Sequence, residues 1–264
     1  MTRPFDYVRV FISDCQIKLA RAMEFRFDFI AGSIMAFIGS FINILFQFFI
    51  YSKTKGFPGW SFDQVLLFQS VVLLVTGIRD TIFGNVRPFF EGGVQFGGVD
   101  RILLFPFSSL GMVLVKGFQH SSFPFILSGL LTLVYSLNRL KISLQWWQVG
   151  LLLLFIVIGL ILYLAFTIFH CALALRFIYV ERLREVFDRI VNFSCYPAEI
   201  FSGLAKIIYL AIIPIAVFSY YPSQVLLGRL NVICILGASI SLVLFWGSIM
   251  FWNIQLKKYS GTGG

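Results

Sequence analysis

Few residues in this sequence have the types and spacing that catalysis would require. The only histidines are His120 and His170, and neither belongs to an HExxH zinc motif. The sequence contains no GxxxxGK[ST] phosphate-binding loop. No serine, histidine and aspartate recur at a spacing typical of a catalytic triad. The pattern therefore disfavours an enzyme, and we predict no catalytic residue and no metal site on this chain.

The remaining reactive side chains favour structural roles. Four cysteines show no CxxC pairing and are predicted to be free thiols in apolar surroundings: Cys15, Cys171, Cys195 and Cys234. A histidine inside a membrane segment can relay protons. A hydrogen-bonded packing role is the more common one, and we favour it for His170.

The composition is that of a membrane protein. Of 264 residues, 59% are hydrophobic and only 12% are charged, whereas soluble domains carry about a quarter charged residues. This length accommodates about six spans of roughly 20 residues. We therefore predict an all-α, polytopic fold with six transmembrane helices. The net charge of +9 indicates contact with anionic membrane lipids, and we predict no nucleic-acid partner.

The apolar segments form a single predicted transmembrane domain over residues 1–264. Residues 1–27 have the pattern of an amphipathic helix that lies at the membrane surface. Ser61 and Gln64 fit a capping box at the start of the second span. The clear spans are predicted at about 29–51, 64–84, 119–137, 147–175 and 230–253.

The longest break between two apolar segments holds two glycine pairs. Because glycine permits sharp turns, we predict turns at Gly92-Gly93 and Gly97-Gly98. A short amphipathic helix should follow over 99–105 and end before Pro106. Asp100 would then lie in the first turn, where a carboxylate is favourable.

The sixth membrane element is ambiguous. The densest charge cluster, over 181–189, begins an amphipathic helix that Tyr196-Pro197 interrupts. Hydropathy alone places the span at 204–221, although Lys206 and Pro214 lie inside that window.

Basic residues set the predicted orientation. Fifteen of the 21 lysines and arginines fall on the side of both termini and of the glycine-rich break. The positive-inside bias therefore places that side in the cytoplasm. The six basic residues on the opposite side are Lys53, Lys55, Arg139, Lys141, Lys206 and Arg229.

The order of elements resembles the permease subunit of type-2 bacterial ABC exporters. More narrowly, it is similar to a branch that includes exporters of viologen-type drugs, whose loop carries G-x-[LV]-D-x-x-L-x-x-P. Here that motif runs from Gly97 to Pro106, through Val99, Asp100 and Leu103. Further matching stretches are residues 59–62, 196–201, 222–228 and 257–259.

The resemblance implies that residues 85–107, called here the coupling segment, seat a coupling helix in a separate ATPase subunit. The implied coupling residues are Phe90, Glu91, Asp100, Arg101 and Leu103. ATP and magnesium would be bound by two ABC ATPase subunits, and no cofactor by this chain. A second permease copy, or a different permease paralogue, would complete the complex.

The resemblance also implies that the fifth span starts near Val180 and ends at Tyr196-Pro197. Residues 198–222 would then form a re-entrant helical pair on the outer side. Pro214 supports this interpretation, because a broken backbone is tolerated where protein surrounds it. We prefer it to the hydropathy interpretation, and both keep six membrane elements.

We therefore expect the permease of an ATP-driven exporter in the bacterial inner membrane, with both termini cytoplasmic. It would move an amphipathic, lipid-like or hydrophobic cationic substrate by alternating access. A proton-coupled secondary carrier is the first alternative, but the inverted repeats and midplane carboxylate that it needs are not evident. A non-transporting membrane scaffold is the second.

Overall fold

The computed structural model describes residues 4–95, 98–105, 107–177 and 180–259. Within these ranges the chain is helical and contains no β-strand. Five stretches are long and apolar enough to cross a membrane: Arg26–Lys53, Phe62–Val94, His120–Leu140, Trp146–Ala174 and Val232–Lys257. The predicted helical membrane class and these five spans are therefore confirmed.

Helix α1 (Pro4–Glu24) precedes the first span and packs against α7 (Ser109–Val115). The first span consists of α2 (Arg26–Ser40) and α3 (Ile42–Lys53), which meet at Phe41. Gly39 and Ser40 precede this break, and glycine–serine pairs are a common cause of kinks. Only 6% of its most apolar window is buried, so this span lies at the periphery of the bundle.

Helix α4 (Phe62–Phe83) is the centre of the bundle. Ser61 accepts a hydrogen bond from the backbone of Gln64, and the Gln64 side chain returns one to the backbone of Ser61. The predicted capping box is therefore confirmed. Residues on all sides of α4 are buried, as expected of a helix that is apolar around its whole circumference.

The coupling segment contains α5 (Val86–Gln95) and α6 (Gly98–Leu103). The predicted turn at Gly92-Gly93 is wrong, because both glycines lie inside α5. Burial of Phe90 and Val94 on one face of α5 stabilises this helix despite the low helix propensity of glycine. Gly97 and Pro106 lie outside the described residues.

Two long helices follow. Helix α8 (Phe123–Leu140), preceded by a 3-10 turn at His120–Ser122, packs along α4. Lys141 ends it in the left-handed conformation, with φ of 54°. Helix α9 (Trp146–Ala174) contacts α4, α5 and the last helix, α13 (Val232–Lys257).

Between α9 and α13 the chain is broken into short pieces. Helix α10 (Glu181–Asn192) ends before Pro197 and is not among the five stretches that are long and apolar enough to cross a membrane. The continuous span that hydropathy indicated at 204–221 is absent from this described stretch. In its place are α11 (Gly203–Ile207), a π-helical turn (Ile208–Ile212), a 3-10 turn (Ile215–Val217) and α12 (Tyr220–Leu226). Pro214 separates these pieces because it cannot continue a helix.

Close packing between α4 and α8 yields a stability prediction. A Cβ atom built on Gly129 would lie 2.8 Å from the backbone nitrogen of Leu74. Gly129→Ala should therefore force α8 away from α4 and cost about 1–3 kcal/mol. The midpoint of thermal unfolding in detergent measures this. Gly150→Ala is the matched control, because no atom lies within 4 Å of that Cβ position. Equal midpoints for the two variants would contradict the close-packing argument.

Candidate functional site

The coupling segment is joined to the bundle by a buried carboxylate. Glu91 on α5 lies 2.7 Å from Nε2 of His170 on α9 and 2.7 Å from Nη1 of Arg184 on α10. Only 7% of the Glu91 side chain and none of the His170 side chain is exposed. A single residue of the coupling segment therefore connects it to two other elements.

Nε2 is the nitrogen of His170 that faces Glu91. An ionised carboxylate can only accept a hydrogen bond, so this contact suits a ring N–H at Nε2. Its Nδ1 has no hydrogen-bond partner among the described residues. This arrangement fits the structural role that the sequence favoured for His170.

A second set of polar contacts joins α5, α9 and α10, one helical turn earlier on α5. Arg87 on α5 donates from Nη2 to the Tyr163 hydroxyl at 3.0 Å and to Asp188 at 2.5 Å. Tyr163 belongs to α9 and Asp188 to α10. Close by, Arg79 makes a bidentate pair with Asp80 at 2.7 and 2.9 Å.

Apolar contacts hold the inward face of the coupling segment. The Phe90 ring is 1% exposed and lies 5.4 Å from the Trp252 ring of α13, measured between centroids. Val99 and Ile102 of α6 are buried in the same cluster. Two of the implied coupling residues, Phe90 and Glu91, therefore face the protein interior.

The far end of the coupling segment is exposed. We call Leu103, Leu104 and Phe105 the tip; their exposed fractions are 43%, 86% and 41%. Asp100 lies in the first turn of α6, as predicted. Burial and the nearby Asp100 carboxylate raise the pKa of Tyr259, so Asp100 also faces the chain's own C-terminal region. The side chain of Arg101 lies outside the described part.

Ion pairs and hydrogen bonds join helix α1 to the residues that follow α7. Asp14 lies 2.6 Å from the ammonium of Lys116 and 2.9 Å from that of Lys18. Lys18 also donates to the backbone carbonyls of Lys116 and Phe118 at the end of α7. The Lys18 ammonium therefore lies at the carbonyl end of α7, where positive charge is stabilising.

Sequence reasoning missed the partners of the buried charges. In the sequence analysis, Arg87, Arg184 and Asp188 contributed only to the charge bias and to the dense charge cluster over 181–189, and no ion-pair partner was assigned to them. Their pairing was indicated indirectly, since a carboxylate on an apolar helix needs a cation or donor nearby. The partner of Glu91 on α9 lies 79 residues further along the chain, which no local pattern reveals.

Together, the five spans, the bridged inner segment and its exposed apolar tip define a multi-pass α-helical membrane protein. A family model described as ABC-2 family transporter protein matches residues 37–263. The chain therefore belongs to that family. Membership of this family supports a role as the permease component of an ABC transporter. Such permeases are typically not catalytic themselves, and they partner with an ABC ATPase component. Neither curated proteins nor solved structures gave a match.

Removing the charge of Glu91 tests its bridging role. Glu91→Gln should weaken the hydrogen bond to Arg184 and leave buried polar groups at this position poorly satisfied. The expected loss in the free energy of unfolding is about 1–3 kcal/mol. Unfolding midpoints measure the loss. Glu185→Gln, an exposed position on α10, makes the same chemical change and should shift the midpoint little. A midpoint of Glu91→Gln equal to that of Glu185→Gln would show that the bridge is not stabilising.

The α1 contact should depend on acid. Burial raises the pKa of Asp14, but Lys116 and Lys18 outweigh burial and lower the pKa below its ordinary value of 3.8. A carboxylate with a depressed pKa stabilises the folded state above that ordinary value, and the contribution disappears as the pH falls below it. Near neutral pH, Asp14→Asn should therefore accelerate amide exchange in α1.

Hydrogen–deuterium exchange at about pH 7 and about pH 3 measures this effect. The difference between wild type and Asp14→Asn should shrink in acid. Glu24→Gln, an exposed position at the end of α1, is the control. A difference that is the same at both pH values would show that the ion pairs do not hold α1 in place.

Proposed function

We propose that this chain is the membrane-spanning permease subunit of an ATP-driven ABC exporter. The observation that carries the proposal is the bridge from Glu91 to α9 and α10, combined with the exposed tip at the other end of the same segment. A force applied to the tip reaches two membrane elements through buried contacts. That is the arrangement a coupling helix requires.

In this proposal the tip seats in a groove of the ATPase subunit. Leu103 and Leu104 make apolar contacts, and Asp100 supplies charge at the rim. Arg101 remains a coupling residue on the ground of the resemblance alone. Phe90 and Glu91 act from inside by holding α5 against the bundle. ATP and magnesium bind to two ATPase subunits, and two permeases, either identical or paralogous, line the path.

We further propose six membrane elements with both termini cytoplasmic, in the bacterial inner membrane. The sixth element is a span from near Val180 to Tyr196-Pro197, which contains α10, and a re-entrant segment follows it over 198–222. Buried hydroxyl groups support this, because Tyr209 donates to the carbonyl of Tyr196 at 3.0 Å and Tyr221 to that of Leu210 at 2.6 Å. Irregular backbone at membrane depth needs such partners.

The re-entrant segment is also fastened to the outer end of α4. The Trp60 indole donates to Glu199 at 2.7 Å, and the Tyr220 hydroxyl donates to the other oxygen of Glu199 at 2.7 Å. Trp60 is thereby buried beneath the segment rather than exposed as an interfacial anchor.

The proposed cargo is amphipathic, lipid-like or a hydrophobic cation. A cleft of about 580 Å³ between α9, α10 and α13 supports this choice. Its wall includes four phenylalanines, whose ring faces attract organic cations and apolar groups alike. They are Phe166, Phe169, Phe187 and Phe251.

A proton-coupled carrier is less well supported. Such a carrier needs an ionisable site near the midplane. His170 lies 24 residues after Trp146, which places it about 36 Å along α9. The Glu91–His170 pair therefore lies at the end of the bundle that holds the coupling segment.

The tip provides the test of the proposal. Leu104→Asp should abolish co-purification with the ATPase in mild detergent, because a charge would replace a seated apolar side chain. The expected loss is about tenfold or more in affinity. Because Leu104 is exposed, the unfolding midpoint should not change. Leu144→Asp, at an exposed leucine in the turn between α8 and α9, is the matched control.

Asp100→Asn separates a charge contact from a helix cap. Asparagine keeps a hydrogen-bonding side-chain oxygen but lacks the charge, so the fold should persist while assembly with the ATPase weakens. Normal assembly of both Leu104→Asp and Asp100→Asn would contradict the coupling proposal. Normal assembly of Asp100→Asn alone would show that apolar seating carries the contact.

A further inference from the structure

A small polar cleft lies where α4, α5, α9 and α10 meet. Its volume is about 270 Å³, and its wall is dominated by charged and hydrogen-bonding groups. The groups that matter for binding are Arg79, Asp80, Arg87, Tyr163, Asp188 and Asn192. Such a concentration of charge is unusual in a bundle with so few charged residues.

Two guanidinium groups form the floor of this cleft. The exposed fractions of the Arg79 and Arg87 side chains are 13% and 10%. Both groups lie over the Tyr163 ring, at 4.9 and 5.5 Å from its centroid. A guanidinium has five N–H donors, and Asp80 occupies only two of those of Arg79. Donors therefore remain for an oxygen-rich anion.

Two carboxylates form the rim. The exposed fractions of the Asp80 and Asp188 side chains are 28% and 47%, so both are more accessible than the arginines beneath them. A purely anionic ligand would meet these carboxylates on entry. A purely cationic ligand would meet the arginines below. The charge pattern matches a ligand that carries both signs, with its anionic group innermost.

The depth of the cleft indicates where that ligand comes from. Arg79 lies 17 residues after Phe62, and Tyr163 lies 17 residues after Trp146, so both are about 26 Å from the outer ends of α4 and α9. The hydrocarbon core of a bilayer is about 30 Å thick. At about 26 Å the cleft lies just inside the edge of this hydrocarbon core, on the side of the coupling segment and directly below the layer of lipid headgroups.

We propose that this cleft binds a phosphate ester that carries an ammonium group, presented as the headgroup of a phospholipid such as phosphatidylethanolamine. The phosphate oxygens accept hydrogen bonds from Arg79 and Arg87, whose planar guanidinium groups suit phosphate. The ammonium group pairs with Asp80 and Asp188 at the rim. The proposal does not depend on the ATPase, so its failure would leave the coupling proposal untouched.

Native mass spectrometry of the full, delipidated chain tests the lipid preference. Three probes are titrated: phosphatidylethanolamine, phosphatidylglycerol and soluble phosphoethanolamine. We expect phosphatidylethanolamine to bind about tenfold more tightly than phosphatidylglycerol, which lacks the ammonium group. Equal affinities would overturn the proposal. Displacement of the lipid by an equal concentration of soluble phosphoethanolamine would overturn the lipid source and keep the headgroup chemistry.

Variants assign the effect to the cleft. Arg79→Lys keeps the charge but loses the planar fork, and should weaken phosphatidylethanolamine binding about tenfold. Arg139→Lys is the matched control, because Arg139 is also paired with an aspartate, Asp63, near the opposite end of the bundle. Unchanged lipid affinity of Arg79→Lys would place the lipid elsewhere and overturn the assignment.

A second variant keeps the test decisive if Arg79→Lys does not fold. Asp188→Asn removes one carboxylate at the half-exposed rim and leaves the cleft with net positive charge. The preference should then shift from phosphatidylethanolamine toward phosphatidylglycerol. A preference identical to that of wild type would contradict the arrangement of charges proposed here.

Discussion

The half of this molecule that holds the coupling segment depends on the contacts that Glu91 makes with its two partners. A buried carboxylate is stable only if cations or donors satisfy it, and here the donors come from α9 and α10. The coupling segment is therefore fixed relative to α9 and α10 while its tip stays exposed. Phe90 strengthens the same contact by packing on Trp252 of the last helix.

A similar carboxylate-centred contact holds the opposite half together. Glu199 accepts from Trp60 and Tyr220, and thereby ties the broken stretch between α10 and α13 to the start of α4. Carboxylate-centred contacts therefore lie near both ends of the stretch formed by α4 and α5, with apolar packing in between. In the proposed mechanism, motion of the coupling segment is transmitted along this stretch, because close interior packing leaves little room for bending.

Local patterns predicted much of this architecture, because each feature lay within a few residues. Hydropathy located the five long spans, and the spacing of Ser61 and Gln64 located a capping box. The turn predicted at Gly92-Gly93 failed because tertiary burial of α5 outweighed the intrinsic preference of glycine. The partners of Glu91 were beyond reach, since they come from helices that are distant in the sequence. The sixth element was ambiguous because its apolar composition is compatible with both a span and a folded re-entrant segment.

The central claim is that the coupling segment and α9 move as one body. Spin labels at Pro88 on α5, Leu153 on α9 and Met35 on the first span test it in the complex with the ATPase, with and without bound ATP. The account predicts that the Pro88–Leu153 distance changes by less than about 2 Å while the Pro88–Met35 distance changes by more. A change in Pro88–Leu153 as large as that in Pro88–Met35 would contradict it.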